Sequence, residues 1–301
     1  MKRRSFIQNA GMSVGILALL QNKGFANFIT QASYKMTLLR KDVGIFTEQG
    51  GTIGWMVNND GIVVVDTQFA TTAPHLIENL KARSERPFKY LINTHHHGDH
   101  TGGNIAFKGI VEHVIGHANC LINQRATAAM QKSEDKQLFA DTVFNDQWKT
   151  KVGSQGIHAQ YFGAAHTNGD AIIHFEDANI AHMGDLMFNR RFPFIDRTAG
   201  ANIQSWIQVL DKAITKFDTD TLFIFGHALD PEKVTGKKDD LKAMQNFLEK
   251  LLLFVGNEIK AGKSKDEILK ATTIPGAEDY KGQGIERSLK AAHEELSQVR
   301  G

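Results

Sequence analysis

Four of the chain's 13 histidines and one aspartate occupy six consecutive positions, His95 to His100, just past the apolar run Tyr90-Leu91-Ile92 and the pair Asn93-Thr94. Crowding imidazoles beside a carboxylate at the end of an expected strand sets a requirement that the rest of the fold must meet. In an extended segment, residues two apart point the same way, so His95 and His97 share a side while His96 faces the other. Gly98 then permits a tight bend before Asp99 and His100. One loop can thus present His95 and His97 to one metal, and Asp99 and His100 to a neighbouring one. Imidazole and carboxylate without thiolate suit Zn²⁺, and also Fe or Mn.

Two metals need more ligands than one loop supplies, and three later stretches offer them. "GAAHTNGD" puts His166 at a turn between strands, "AHMGDLMF" puts Asp185 after a strand and a glycine, and "FIFGHALD" puts His227 after a buried strand and a glycine. All three stand at strand ends, where ligands carried by separate strands can converge.

The surrounding pattern is α/β. Residues 42–67 alternate β-branched and aromatic runs with the turn signals Gly50-Gly51 and Asn59-Asp60-Gly61, as a β-meander does. An amphipathic helix is expected over 72–84, a strand over 88–93, a strand over 111–116, and a helix near 118–130. The polar stretch 131–155, with Phe139, Val143, Phe144 and Trp148 interspersed, reads as helical cover. Strands are expected over 157–162, 171–176, 179–183 and 221–225, with an amphipathic helix over 202–217. From about 231 the chain is charged and helical, and Leu241, Met244, Phe247, Leu248 and Leu251 recur at helical spacing. No internal repeat or low-complexity linker divides it.

Taken in order, His-x-His-x-Asp-His, the "HTNGD" turn, the "GD" loop and the final "GH" resemble the metallo-β-lactamase superfamily over roughly residues 36–230. That resemblance implies an αββα sandwich with a C-terminal helical extension over 231–301, and a site at one edge between two sheets. It also implies His95, His97 and His166 around a first metal and Asp99, His100 and His227 around a second, with Asp185 bridging both. Two Zn²⁺ ions so held would share a water, lower its pKa toward neutrality and polarise a carbonyl, with Asp99 shuttling the proton. The implied activity is metal-dependent hydrolysis of an acyl bond in a small molecule: ester, lactone, thioester or amide, including a β-lactam. The subclass of zinc β-lactamases with a cysteine ligand has Cys where Asp185 stands, so the sequence is closer to the glyoxalase II and lactonase branches. Two other classes stay open: a single-iron oxidoreductase resembling persulfide dioxygenases, and a metal-binding protein without turnover.

Asp66, ending "GIVVVDT", and Asp170, following His166, are candidates to hold ligand rings from behind; the alternative for each is a turn or cap. Asn189, Arg190 and Arg191 follow the Asp185 loop and could grip an anionic substrate group, or be solvated loop residues. Trp55 could line a flap or sit in the core. His96 is expected to face away from the metals and His182 to be core or support. The single cysteine, Cys120, precludes an intrachain disulfide or a Cys-based zinc finger, and its apolar setting reads as a buried thiol.

Residues 1–26 read as a targeting segment. Lys2, Arg3 and Arg4 form a basic head, Ala10–Leu20 an apolar core too short to span a bilayer, and Gly24-Phe25-Ala26 a site for cleavage. Arg3-Arg4 followed by Ser5, Phe6 and Ile7 resembles a twin-arginine signal; an ordinary secretory signal or an uncleaved anchor are the alternatives. A bacterial, periplasmic or secreted location follows, without stable membrane insertion after cleavage. The formal charge of +2 owes its sign to this segment, since the remainder holds 31 basic and 33 acidic residues. No other basic run supports nucleic-acid binding.

Overall fold

The computed structural model describes residues 34–298; the expected leader, residues 1–26, lies outside them. Strands β1 (Lys35–Arg40), β2 (Val43–Thr47), β3 (Ile53–Asn58), β4 (Gly61–Val65), β5 (Phe88–Ile92), β6 (Val111–His117) and β7 (Thr142–Phe144) form one sheet in that order. The β2-β3-β4 meander is antiparallel, and β4 to β7 run parallel. Parallel neighbours need crossovers. Helix α1 (Ala73–Arg83) links β4 to β5, the single turn α2 (Gly98–Thr101) follows β5, and α3 (Ala118–Gln131) links β6 to β7.

The second sheet is built from β8 (Gln147–Val152), β9 (Gln155–Tyr161), β10 (Ala171–Phe175), β11 (Ile180–His182), β13 (Leu222–Ile224) and β15 (Thr235–Gly236), in the order β15-β13-β11-β10-β9-β8. A small parallel pair, β12 (Phe188–Asn189) with β14 (His227–Ala228), sets Phe188 opposite His227. The other α-helices among the described residues are α4 (Ile203–Lys216), α5 (Lys238–Lys260), α6 (Lys265–Ile268) and α7 (Ile285–Gln298).

Alternation along β4 shows why the strands are apolar throughout. Val63 and Val65 join Val43, Ile92, Ile157 and Ile173 between the sheets, whereas Ile62 and Val64 join Leu76, Ile77 and Leu80 of α1 on the outer face. A strand covered on both faces reads as a continuous hydrophobic run. Burying each such side chain contributes roughly 1.5–3 kcal/mol. The outer face of the second sheet is covered by α4, α5 and α7, with Trp206, Leu241, Phe247 and Leu289 in one cluster. The result is the four-layer αββα arrangement expected from the sequence, with α5, α6 and α7 packed against the second sheet; the stretch from 231, expected to be helical, instead begins by adding β15 to that sheet.

Residues 131–155 are not helical cover. After α3 ends at Lys132, in the left-handed region at φ 53°, comes a short 3-10 turn, then β7 and β8. In "QWKTKV" the inward positions are Trp148, Thr150 and Val152, and the outward ones Gln147, Lys149 and Lys151. That is a period of two on an edge strand, where outward lysines discourage pairing with another chain. Among the described residues no helix is long and apolar enough to cross a membrane.

Candidate metal centre

All seven side chains singled out in the sequence meet at the ends of strands from both sheets. His95 and His97 extend from β5, and Asp99 and His100 lie in α2. His166 precedes β10, Asp185 follows β11 in a 3-10 turn, and His227 opens β14. Their donor atoms fall into two groups. In the first, His97 Nδ1 lies 3.2 Å from His95 Nε2 and 2.9 Å from His166 Nε2. In the second, His227 Nε2 lies 3.5 Å from His100 Nε2 and 3.1 Å from Asp99 Oδ2.

Asp185 divides its oxygens between the groups. Oδ2 lies 3.8 Å from His95 Nε2 and 3.5 Å from His166 Nε2, while Oδ1 lies 3.0 Å from His100 Nε2 and 3.4 Å from His227 Nε2. Ligands arranged tetrahedrally at zinc distances stand about 3.4 Å apart, which matches this spacing. Oδ1 is nevertheless buried without a hydrogen-bond partner, as expected of an atom whose partner is a shared cation.

The backs of the rings fix which nitrogen faces inward. The Phe194 carbonyl, 2.7 Å from His166 Nδ1, can only accept, so Nδ1 donates and Nε2 keeps its lone pair. Asp196 Oδ2 accepts from His97 Nε2 at 2.9 Å, leaving Nδ1 inward. Asp66 Oδ2 accepts from His100 Nδ1 at 2.8 Å and from Thr94 Oγ1 at 2.7 Å; that hydroxyl in turn lies 3.1 Å from His95 Nδ1. Four of the five rings are therefore held from behind with the other nitrogen turned to the centre, and one buried carboxylate, Asp66, supports both groups. This donor set fits divalent metal.

Backbone geometry is shaped around the same point. Asp66 and Gln68 hold positive φ, 63° and 55°, conformations that cost of order 1–3 kcal/mol each and persist where the surroundings fix them. Gly51 and Gly226 allow close approach: a Cβ on Gly51 would stand 2.2 Å from His100 Cε1, and one on Gly226 would stand 2.1 Å from Asp185 Oδ1. The Gly50-Gly51 hairpin turn therefore backs the centre as well as joining two strands.

The charges differ across the site. Burial, then His100, pushes His95 well below the ordinary histidine value, and burial lowers His166 to about 3. For His100 and His227 burial acts in the same direction, but Asp185 with Asp66 or Asp99 outweighs it; His100 is raised well above its usual value and His227 to about 9. Burial works against ionised Asp185 and Asp99, yet the surrounding histidines hold Asp185 well below the carboxylate range and Asp99 at about 2.

The remaining candidates separate. Asp66 takes the supporting place described above. Asp170 does not reach a ring: it accepts from Thr167 N and Oγ1, both at 2.7 Å, closing the turn that carries His166. Asn189 is buried, donating to the Lys233 carbonyl. Arg190 turns away to Asp279 at 2.9 Å and Asp240 at 3.6 Å. Both side chains are thus engaged by other parts of the chain; of the three, Arg191 alone lines the cavity over the centre. Trp55 belongs to the core, and His182 lies between the Thr52 carbonyl and the Gly184 N–H. Cys120 is buried, which pushes its thiol pKa up.

Sequence reasoning missed Asp196. Its Oδ1 caps the turn at Thr198 and Ala199 while Oδ2 holds His97. "IDRTAG" signals only the cap; the ring it also serves lies 99 positions earlier.

Comparison with known proteins gives a family match and a set of folds. The model of the metallo-beta-lactamase superfamily matches residues 47–227. A metallo-beta-lactamase from Pontibacter korlensis is 19% identical, with 72% of this chain and 99% of that chain covered at a TM-score of 0.59. DIM-1 metallo-beta-lactamase is 16% identical, with 72% and 97% covered at 0.59. A double mutant of the sec-alkyl sulfatase PisA1 is 14% identical at 0.65; 88% of this chain is covered, and it spans half of that protein's length.

Proposed function

The chain belongs to the metallo-beta-lactamase superfamily, and we propose that it is an exported dinuclear zinc hydrolase cleaving an acyl bond in a small molecule. The observation that carries this reading is Asp185, whose two oxygens serve two separate groups of inward-facing nitrogens. A pair of divalent cations, when bound, supplies an activated water and Lewis-acid polarisation of the scissile group.

The chain's own residues do the rest. Asp66, Asp196 and the Phe194 carbonyl fix ring orientation, so the donor atoms need not reorganise on binding. Asp99 is ionised at neutral pH and lies on the cavity floor. Its Oδ2 faces His227, while Oδ1 has no hydrogen bond among the described residues and can take a proton from the attacking water and pass it to the leaving group. Phe188, stacked on His227 with ring centroids 5.2 Å apart, excludes water from one side. Export rests on the basic head and short apolar core of residues 1–26.

The test is a metal count on the purified chain, paired with a panel of an aryl ester, a lactone, a thioester, a chromogenic β-lactam and a sec-alkyl sulfate. Two zinc ions and turnover of an acyl substrate are expected. One iron per chain with sulfide-dependent oxygen uptake would replace this reading with the oxidoreductase.

A further inference from the structure

The metal centre opens into a cavity of about 340 Å³ with His97, Asp99, Asp185 and His227 on its floor. Its walls carry Phe188 and Phe194, and also two guanidinium groups, Arg191 and Arg287. Elsewhere on this side of the molecule the arginines are neutralised: Arg190 by Asp279 and Asp240, Arg197 by Glu295 at 2.9 Å. Arg191 and Arg287 are exposed and have no acidic partner among the described residues.

Both are held in place. Arg191 forms a backbone bridge to Lys281, flanked by hydrogen bonds from Lys281 N to the Arg190 carbonyl (3.0 Å) and from Phe192 N to the Lys281 carbonyl (3.3 Å). Ser288 Oγ, one residue beyond Arg287, donates to the Pro193 carbonyl at 2.8 Å, and the Arg287 guanidinium lies 5.6 Å from the Phe194 ring centroid. Arg287 also stands in the first turn of α7, where the helix dipole disfavours a cation, so helix stability does not explain it. The carboxylates on the floor do not answer these cations either: Asp185 points both oxygens into the ligand groups, and Asp99 faces His227.

We propose that Arg191 and Arg287 form a subsite for a carboxylate carried by the substrate, remote from the scissile bond, with the phenylalanines covering its apolar body. The inference rests on the hydrolase reading and narrows it to anionic acyl substrates. The specificity then comes partly from the C-terminal segment, since Arg287 lies 60 residues beyond the end of the family match at residue 227. Guanidinium recognises carboxylate through paired, charge-assisted hydrogen bonds.

The experiment compares 4-acetoxybenzoate with its neutral methyl ester on the zinc-loaded chain. In parallel, 4-(hydroxymethyl)benzoate and the neutral 4-(hydroxymethyl)benzamide are bound calorimetrically, which needs no turnover. The anionic member of each pair should be preferred by about tenfold or more, through KM in the kinetic pair. The preference should collapse toward unity in the double variant Arg191→Ala/Arg287→Ala, return in part with Arg287→Lys, and persist in Arg190→Ala. Equal affinity for both members in the wild type, or a preference that survives the double variant, overturns the subsite. If neither ester turns over while the benzoate is still preferred over the benzamide and the double variant loses that preference, the subsite stands and the hydrolase reading falls.

Discussion

Around Asp185, the two groups differ in charge more than in exposure. Each has sealed members (His95 at 1%, His166 and His100 at 0%) and members open to the cavity (His97 at 18%, His227 at 12%, Asp99 at 31%). Burial keeps His95 and His166 free of protons, while carboxylates on the other side hold protons on His100 and His227. His95 and His166 are thus ready to accept a cation as they stand, and His100 and His227 store protons that a cation must displace. The asymmetry is one of protonation: both groups reach the cavity, and proton traffic falls on the side of His100 and His227.

The most severe way to break the comparison is to remove the residue both groups share. Asp185→Asn keeps the volume but replaces one oxygen by a donor, which no longer suits a cation. The bound-metal count should fall below two per chain, and activity should fall by roughly 10³-fold or more. Elemental analysis with steady-state kinetics measures both; an unchanged count would show that the two groups bind independently of Asp185.

Separating the groups comes next in size. Asp196→Ala strips the support of His97, and Asp66→Ala strips that of His100 and, through Thr94, of His95. Each should weaken metal retention by about 10–100-fold. Competition with a chelator should show Asp196→Ala affecting one ion and Asp66→Ala both. Asp66→Ala should also lower the melting temperature, because Thr94 N and Oγ1 lose their buried acceptor, a loss of about 1–3 kcal/mol per group. Equal chelator sensitivity of both ions in Asp196→Ala would deny that the groups are separable.

A smaller effect follows from protonation. His227 of the metal-free chain holds its proton up to about pH 9, so cation affinity beside it should rise with pH, roughly tenfold per unit for each proton displaced, until that value. His166, neutral above about 3, adds no such slope near neutrality. The linkage to folding has opposite signs in the two groups. Raised His227 stabilises the metal-free fold below the ordinary value of 6.5, and that contribution is lost as pH climbs through about 9. Depressed His166 withdraws stability as pH falls from 6.5 toward about 3. The melting temperature of the chelator-treated chain should therefore decline on both sides of a middle range, and a flat profile would contradict the charge asymmetry.

The contrast also explains what was legible in the sequence. The seven converging side chains could be read because imidazoles crowd one loop, and because the three distant members each end a strand beside a recognisable turn. Helices α1 and α4 could be read from apolar periodicity. What escaped depends on partners far along the chain. Asp196 looks like a turn cap, since its second oxygen meets a ring from another layer. Arg190 and Asn189 look like solvated loop residues, since Asp279 and the Lys233 carbonyl arrive from the C-terminal region. In residues 147–152, β8 was obscured because an edge strand with outward lysines has little apolar signal.

His96 supplies the finest probe, since it stands between two members of the first group yet points elsewhere. Burial, then His97, lowers it to about 4, so it carries no charge at neutral pH. Its Nδ1 is buried without a hydrogen-bond partner, and its Nε2 lies 3.9 Å from Asp196 Oδ2, beyond hydrogen-bond reach. Replacing a buried polar group that makes no bond removes a desolvation penalty rather than an interaction. His96→Phe should accordingly leave metal content at wild-type level and change kcat/KM by no more than about threefold, with melting temperature unchanged or raised. Loss of one ion in this variant would mean that Asp196 leans on His96 as well as on His97, and that the first group extends one residue further than its inward-facing nitrogens suggest.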